Sequence, residues 1–184
     1  MSLTETPICN FGEKAKNFNL LSTENRKVSL NDIRGENGTL IMFLCNHCPY
    51  VKAIIKDVVQ DVKYLETLGV KSTAIMSNDV KNYPEDSFEN MISFSKLHIF
   101  SFPYIIDDTQ EVAKEYGAVC TPDFFGYNKK LELQYRGRIR ELKNLKPVRK
   151  GDSDLRLAME QISASGKGPK NQIPSMGCNI KWFK

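Results

Sequence analysis

Long hydrophobic runs are missing from this 184-residue chain. No apolar stretch approaches the roughly 20 residues a helix needs to cross a bilayer, so no membrane span is expected. Charge of one sign is lacking too. The 26 Lys and Arg against 22 Asp and Glu leave a net charge of +4, too small and dispersed to argue for a nucleic-acid partner. Met1 to Asn10 is polar, without the basic-then-apolar order of a secretory signal, and a cytoplasmic location is the expectation. There is no internal repeat. The five cysteines, Cys9, Cys45, Cys48, Cys120 and Cys178, are an odd number and do not space out as a disulfide framework. In a reducing compartment the close pair among them points to catalysis or to a metal. A hydrophobic content of 41% suffices for one core, hence one domain.

What is present concentrates at Cys45-Asn46-His47-Cys48. The run before it, Thr39 to Leu44, is six residues without a charge, the character of a buried strand. After Pro49 the apolar residues Val51, Ile54, Ile55, Val58, Val59, Val62, Leu65 and Leu68 recur at helical steps, with Gly69 as a stop. The pair therefore falls at a strand-to-helix turn, where backbone N–H groups and the positive end of the helix dipole favour a thiolate. The spacing also lets the two sulfurs close a small ring, which a dithiol–disulfide exchange centre requires.

The rest of the chain reads as a single α/β domain. Phe18, Leu20 and Val28 around Ser22-Thr23-Glu24-Asn25 predict an N-terminal hairpin. Val70 to Met76 is a second strand, completing a βαβ unit. Ser77 to Ser87 is a polar loop leading into a helix that runs to about His98, and Phe102 to Ile106 is a short apolar run. Asp108 followed by Glu111 resembles a capping box for a helix ending at Gly117. Phe124 to Tyr127 and Leu131 to Ile139 predict a hairpin, and Asp152 to Ser165 an amphipathic helix that buries Leu155, Ala158, Met159 and Ile162. Arg136-x-Arg138-x-Arg140 places three cations on one strand face, read as a solvated edge, with an anionic-substrate patch as the alternative. The boundaries expected are an N-terminal segment (1–10), the domain (11–165) and an extended, loosely tied tail (166–184), with Trp182 and Phe183 as its anchor.

Three segments carry a resemblance: Phe43-Leu44-Cys45-Asn46-His47-Cys48-Pro49-Tyr50-Val51-Lys52, Tyr116 to Phe125 with Cys120-Thr121-Pro122, and Pro174 to Trp182 with Gly177-Cys178. With Gly12-x-x-Ala15-x-x-Phe18-x-Leu20 ahead of them, the chain resembles bacterial peroxiredoxin-like, thioredoxin-family proteins of the AhpC/TSA (redoxin) superfamily. The resemblance implies a thioredoxin-like fold: a central mixed sheet flanked by helices, with an N-terminal β extension and an extended C-terminal tail. It makes Cys45 the nucleophile, Cys48 the resolving thiol, and Thr121-Pro122 the cis-proline dipeptide facing them, whose backbone edge receives an extended substrate. There are departures. The buried carboxylate of thioredoxins is replaced by Thr39, and the tryptophan before the first cysteine by Leu44. Against peroxiredoxins, Cys48-Pro49 matches the peroxidatic cysteine and its proline, but the upstream proline is Ile41, and the arginine that polarises peroxide falls near Val119 or Cys120.

The expected function is thiol–disulfide exchange through the Cys45/Cys48 dithiol. The substrate would be a protein or small-molecule disulfide, and an external thiol reductant, such as a thioredoxin- or glutaredoxin-type system, would restore the pair. Two alternatives stand beside it: a thiol peroxidase acting through Cys48 or Cys45, and a zinc-binding or redox-inert interaction domain. Zinc needs two further ligands, and Cys120, Cys178, His47 and His98 are scattered singly, so neither metal nor cofactor is expected. His47 either stabilises the Cys45 thiolate or is an exposed turn residue; His98 reads as structural. Cys120 and Cys178 are possible additional redox residues, by proximity to Thr121-Pro122 and by the reach of a tail, with a buried apolar role as the plain reading. Cys9 reads as incidental.

Overall fold

The computed structural model describes residues 3–7 and 10–184, so Cys9 lies outside the described residues. The elements run β1 (Leu3–Glu5), β2 (Asn19–Ser22), β3 (Lys27–Ser29), β4 (Gly38–Phe43), α1 (Pro49–Glu66), β5 (Val70–Met76), α2 (Phe88–Leu97) and β6 (Tyr104–Ile106). They continue with α3 (Glu111–Tyr116), β7 (Cys120–Thr121), β8 (Asp123–Asn128), β9 (Leu133–Arg136), β10 (Leu142–Lys143), β11 (Lys146–Pro147), α4 (Asp154–Ser165) and β12 (Met176–Asn179). A 3-10 turn, Pro84–Asp86, precedes α2.

The main sheet has the order β3-β2-β6-β5-β4-β8-β9. β4, β5 and β6 are parallel, while β8, β9, β2 and β3 join antiparallel. The uncharged run places β4 at the centre because both of its faces are covered. Leu40, Met42 and Leu44 point into a core closed by α1, α2 and α4, whereas Ile41 and Phe43 point into a second core beneath α3 and the N-terminal hairpin. This is the thioredoxin-like arrangement, with α1 starting directly behind the carboxyl end of its central strand. Helix α4 buries Leu155, Ala158, Met159 and Ile162 as the spacing predicts.

Four expectations are corrected. Asp108 does not cap α3. Gln110 is the N-cap residue, in the left-handed region, and Asp107 accepts from the amides of Val112 (3.4 Å) and Ala113 (2.9 Å). The three arginines are not a solvated strand face, because β9 ends at Arg136 and the chain bends at Ile139 and Arg140. Arg136 is buried, pairs with Asp123 at 2.8 Å and stacks on Phe125 at 4.4 Å, while Arg138 pairs with Asp154 and Arg140 with Asp57.

The tail is extended but not loose. β12 pairs between β1 and β7 in a second, three-stranded sheet, and Ser175, Gly177, Cys178, Ile180 and Lys181 are all buried. Nor do the aromatic residues anchor it, since Trp182 and Phe183 stay 37% and 48% exposed. The anchor is polar. The Lys181 amide donates to Asn78 Oδ1 (2.8 Å), and its carbonyl accepts from the Asp79 amide (2.8 Å) and Gln110 Nε2 (2.8 Å).

Candidate redox site

Strand β4 delivers Leu44, whose amide is still held by Ile75 O at 3.0 Å, and the chain then turns through Cys45-Asn46-His47 into α1. Cys48 is the N-cap of α1, with extended backbone (φ −65°, ψ 123°), and Pro49 follows at the position where a missing N–H costs nothing. Across the turn stands Thr121, on the cis Thr121–Pro122 bond. Its hydroxyl lies 3.2 Å from Cys45 Sγ, and its carbonyl oxygen lies 3.2 Å from Cys48 Sγ, to which the thiol form of Cys48 donates.

The environments of the two sulfurs differ. Cys48 is held well below the usual thiol range. The Cys45 thiol donates to it; burial opposes the shift, while the Cys178 thiol and the amides of Val51 and Cys178 add to it. Cys45 is pushed well above that range by donating to Cys48, by burial, and by the charges of Asp86 and Cys48. The helix N-terminus thus gathers the charge on Cys48. Both sulfurs are nearly closed to solvent, at 1% and 0% exposure for Cys45 and Cys48, so a partner reaches them only if something moves. A cavity of about 250 Å³ borders Pro122, lined also by Tyr50, Ile54, Arg138, Ser175 and Met176.

Asp86, at the end of the 3-10 turn and wholly buried, organises the turn from the opposite side. Its carboxylate accepts from the amides of Asn46 (2.8 Å) and His47 (3.3 Å), from Asn78 Nδ2 (2.7 Å), and pairs with His47 Nδ1 (2.6 Å). Burial alone would raise its pKa, but His47, Asn78 and the Asn46 amide together hold it below the ordinary value. His47 is shifted upward, first by its hydrogen bond to Asp86 and against burial. His47 is therefore half-buried and committed to Asp86, and the sulfur whose charge it feels is Cys48. Tyr104 donates to Asn46 Oδ1 at 2.9 Å, fixing the remaining residue of the turn. Asp86, Asn78 and Tyr104 carried no sequence signal. Asp86 lies in Pro84-Glu85-Asp86-Ser87, which reads as an ordinary helix entrance, and Ser87 does cap α2.

The structure also places the remaining candidates. Cys120 is buried on β7, its thiol donating to Pro122 O at 3.6 Å, and burial pushes it far up. Cys178 meets Cys48, as noted above. Cys45, Cys48, Cys120 and Cys178 are all thiols. His98 is the C-cap of α2, edge-on to Phe94 at 4.5 Å. Among the described residues one set could span a metal ion: the ligand atoms of Cys45, His47 and Asp86 lie within 4.8 Å of one another, although His47 and Asp86 already satisfy each other. Arg136 belongs to the core under α3, on the other face of the sheet from the cysteines. The backbone edge of β7, where the resemblance implies an extended substrate, is taken by β12.

Fold and site together define a thioredoxin-fold redox protein. Residues 11–142 match the AhpC/TSA family, and the chain belongs to it. It is similar over 100% of its length to an uncharacterized conserved protein from Geobacillus kaustophilus (37% identity, 97% of that chain, TM-score 0.94). A hypothetical protein from Sinorhizobium meliloti is similar at 32% identity, over 98% of both chains, with a TM-score of 0.90. The thioredoxin domain of a thiol-disulfide oxidoreductase from Bacteroides vulgatus shares the fold at 15% identity (74% of this chain, 91% of that one, TM-score 0.60). No match was found among curated proteins.

Proposed function

We propose that this protein is a thiol–disulfide oxidoreductase whose working group is the Cys45/Cys48 dithiol. The observation that carries the reading is the placement of the two thiols at the N-terminus of α1 with Thr121 bridging them, its hydroxyl 3.2 Å from Cys45 Sγ and its carbonyl oxygen 3.2 Å from Cys48 Sγ. A thiolate attacks a disulfide, a mixed disulfide forms, and the neighbouring thiol displaces the product to leave Cys45–Cys48. The resemblance makes Cys45 the attacking sulfur. The charge distribution favours Cys48 for that step, with Cys45 delivering its proton to the leaving thiolate as it resolves; both orders end in the same disulfide. His47 supports the centre by neutralising Asp86 beside it, and Thr121-Pro122 by fixing the opposite wall. The substrate is a disulfide of small size, since β12 fills the edge a protein strand would use, and an external thiol reductant restores the pair.

The second reading is a thiol peroxidase acting through Cys48, favoured by the family and by the acidified thiol. Against it, Val119 or Cys120 stands where the peroxide-polarising arginine would fall, and Ile41 where the upstream proline would. Peptide mapping after mild oxidation tests the first reading: a linked Cys45–Cys48 peptide supports it, and the two found as thiols while other cysteines are bonded refutes it. Stopped-flow oxidation by hydrogen peroxide beside turnover of a small disulfide separates the two readings. Fast peroxide consumption that survives Cys45→Ser and vanishes in Cys48→Ser would transfer the function to the peroxidase.

A further inference from the structure

Strand β12 brings one more sulfur to the centre, and several contacts hold it there. Its register sets Cys178 opposite Thr121, the residue that already touches Cys45 and Cys48. Cys178 also acts on Cys48 electrostatically, its thiol and its amide both helping to hold the Cys48 pKa down. Cys178 is 3% exposed and lies in the same core as the pair. On its N-terminal side, Ser175 Oγ donates to Pro122 O at 2.7 Å, and a Cβ on Gly177 would stand 2.1 Å from Thr121 O, so only glycine admits this approach. On its C-terminal side the Ile180 amide donates to Val119 O at 3.0 Å, and Lys181 is clamped by Asn78, Asp79 and Gln110. The sulfur is thus fixed from both directions against Cys48. Cys120, equally buried, instead turns its thiol to Pro122 O.

We propose that Cys178 is the third thiol of this centre, exchanging with the Cys45–Cys48 disulfide so that the oxidised protein also holds a Cys48–Cys178 disulfide. The proposal rests on the reading of the pair as an exchange centre. In the step, deprotonated Cys178 attacks Cys48 Sγ, and the Cys48–Cys178 bond forms as the Cys45–Cys48 bond breaks. Cys45 leaves as thiolate and takes up the proton that Cys178 released. No electrons enter or leave, because the substrate disulfide has already accepted the pair's two electrons. The result stores the oxidation on the tail, returns Cys45 to a thiol, and ties β12 covalently to the head of α1.

The test uses glutathione disulfide as oxidant, followed by acid quenching, thiol blocking and non-reducing peptide mapping of the full chain. Wild type should give both the Cys45–Cys48 and the Cys48–Cys178 linkage, and Cys120→Ser should match it. Cys178→Ser should give only Cys45–Cys48. Cys45→Ser should resolve to Cys48–Cys178 with release of both glutathione molecules, whereas Cys45→Ser/Cys178→Ser should stop at glutathione bonded to Cys48. Cys45→Ala serves as the second variant for the same measurement. Glutathione retained on Cys48 in the Cys45 variants, with Cys178 alkylated, overturns the third thiol while leaving the exchange reading intact. Wild type that forms no Cys45–Cys48 linkage overturns the exchange reading itself.

Discussion

Asp86→Asn is the most informative single change, because it keeps the shape of the group that holds the cysteine turn and removes its charge. Asp86 accepts from two backbone amides, from Asn78 and from the His47 ring. Truncation to Ala would strand several buried donors at about 1–3 kcal/mol each, a large part of a stability of about 5–15 kcal/mol. In Asp86→Asn one carboxylate oxygen becomes an NH2 facing a former donor, and the ion pair with His47 disappears. Losing one charge-assisted bond in a buried site costs about 2–4 kcal/mol. The pH dependence is diagnostic. His47 has a raised folded pKa, so its contribution is complete below the unfolded value of 6.5 and is lost as pH rises through the folded one. Asp86 has a lowered folded pKa, so its contribution is present above 3.8 and is lost as pH falls through the folded value. The stability gap between wild type and Asp86→Asn should therefore be widest between about pH 4 and 6.5 and shrink on both sides. Urea unfolding under reducing conditions from pH 3 to 9 measures it. A gap that stays constant across that range would refute the ion pair, and with it the account of how the turn is held.

Further expectations follow from other contacts. Asp61 on α1 is pushed up to about 6, chiefly by burial, while accepting from Ser153 Oγ at 2.5 Å. A carboxyl with a raised folded pKa loses stability as pH rises from 3.8 through about 6, so Asp61→Asn should stabilise the protein at pH 8, by up to roughly 3 kcal/mol, and not at pH 4, as thermal melts at the two pH values would show. His47→Ala should leave Asp86 unneutralised beside the pair, so the rise of alkylation rate with pH should move upward; an unchanged profile would make His47 purely structural. Alkylation near neutral pH should mark Cys48 ahead of Cys45 when the reduced protein is mapped, and the reverse order would return the thiolate to Cys45. Gly177→Ala, which drives a methyl into the Thr121 carbonyl, should loosen β12 and increase cleavage after Lys167 and Lys170 in limited proteolysis.

The elements that were legible in the sequence are those whose burial imposes a period. β4 and β5 are uncharged or nearly so because both faces are covered, and α1 and α4 show helical steps because one face is. The location of the cysteine pair follows from those two signals alone. β1, β7 and β12 are two to four residues long, too short for alternation to register, and their partners lie far off in sequence: Leu3 opposite Cys178, Cys178 opposite Thr121. The arginine triplet misled because its period of two continues past the end of β9, where the strand no longer sets the direction of the side chains and each guanidinium finds a different carboxylate.

The site divides along the same line. Cys45, Cys48 and Thr121-Pro122 are found from spacing and resemblance, but Asp86 is found only once its burial is known, since an acidic residue before a helix is ordinary on a surface. The tail makes the point most sharply. Pro169, Pro174 and Gly177 read as slack chain because those residues abound where backbone is loose. Yet glycine serves equally where two backbones must come closer than any side chain permits, and at Gly177 the Thr121 carbonyl occupies the space a Cβ would need. The same letter marks freedom in one setting and a tight fit in the other. Only the partner strand decides between them, and here that partner is the strand that faces both cysteines.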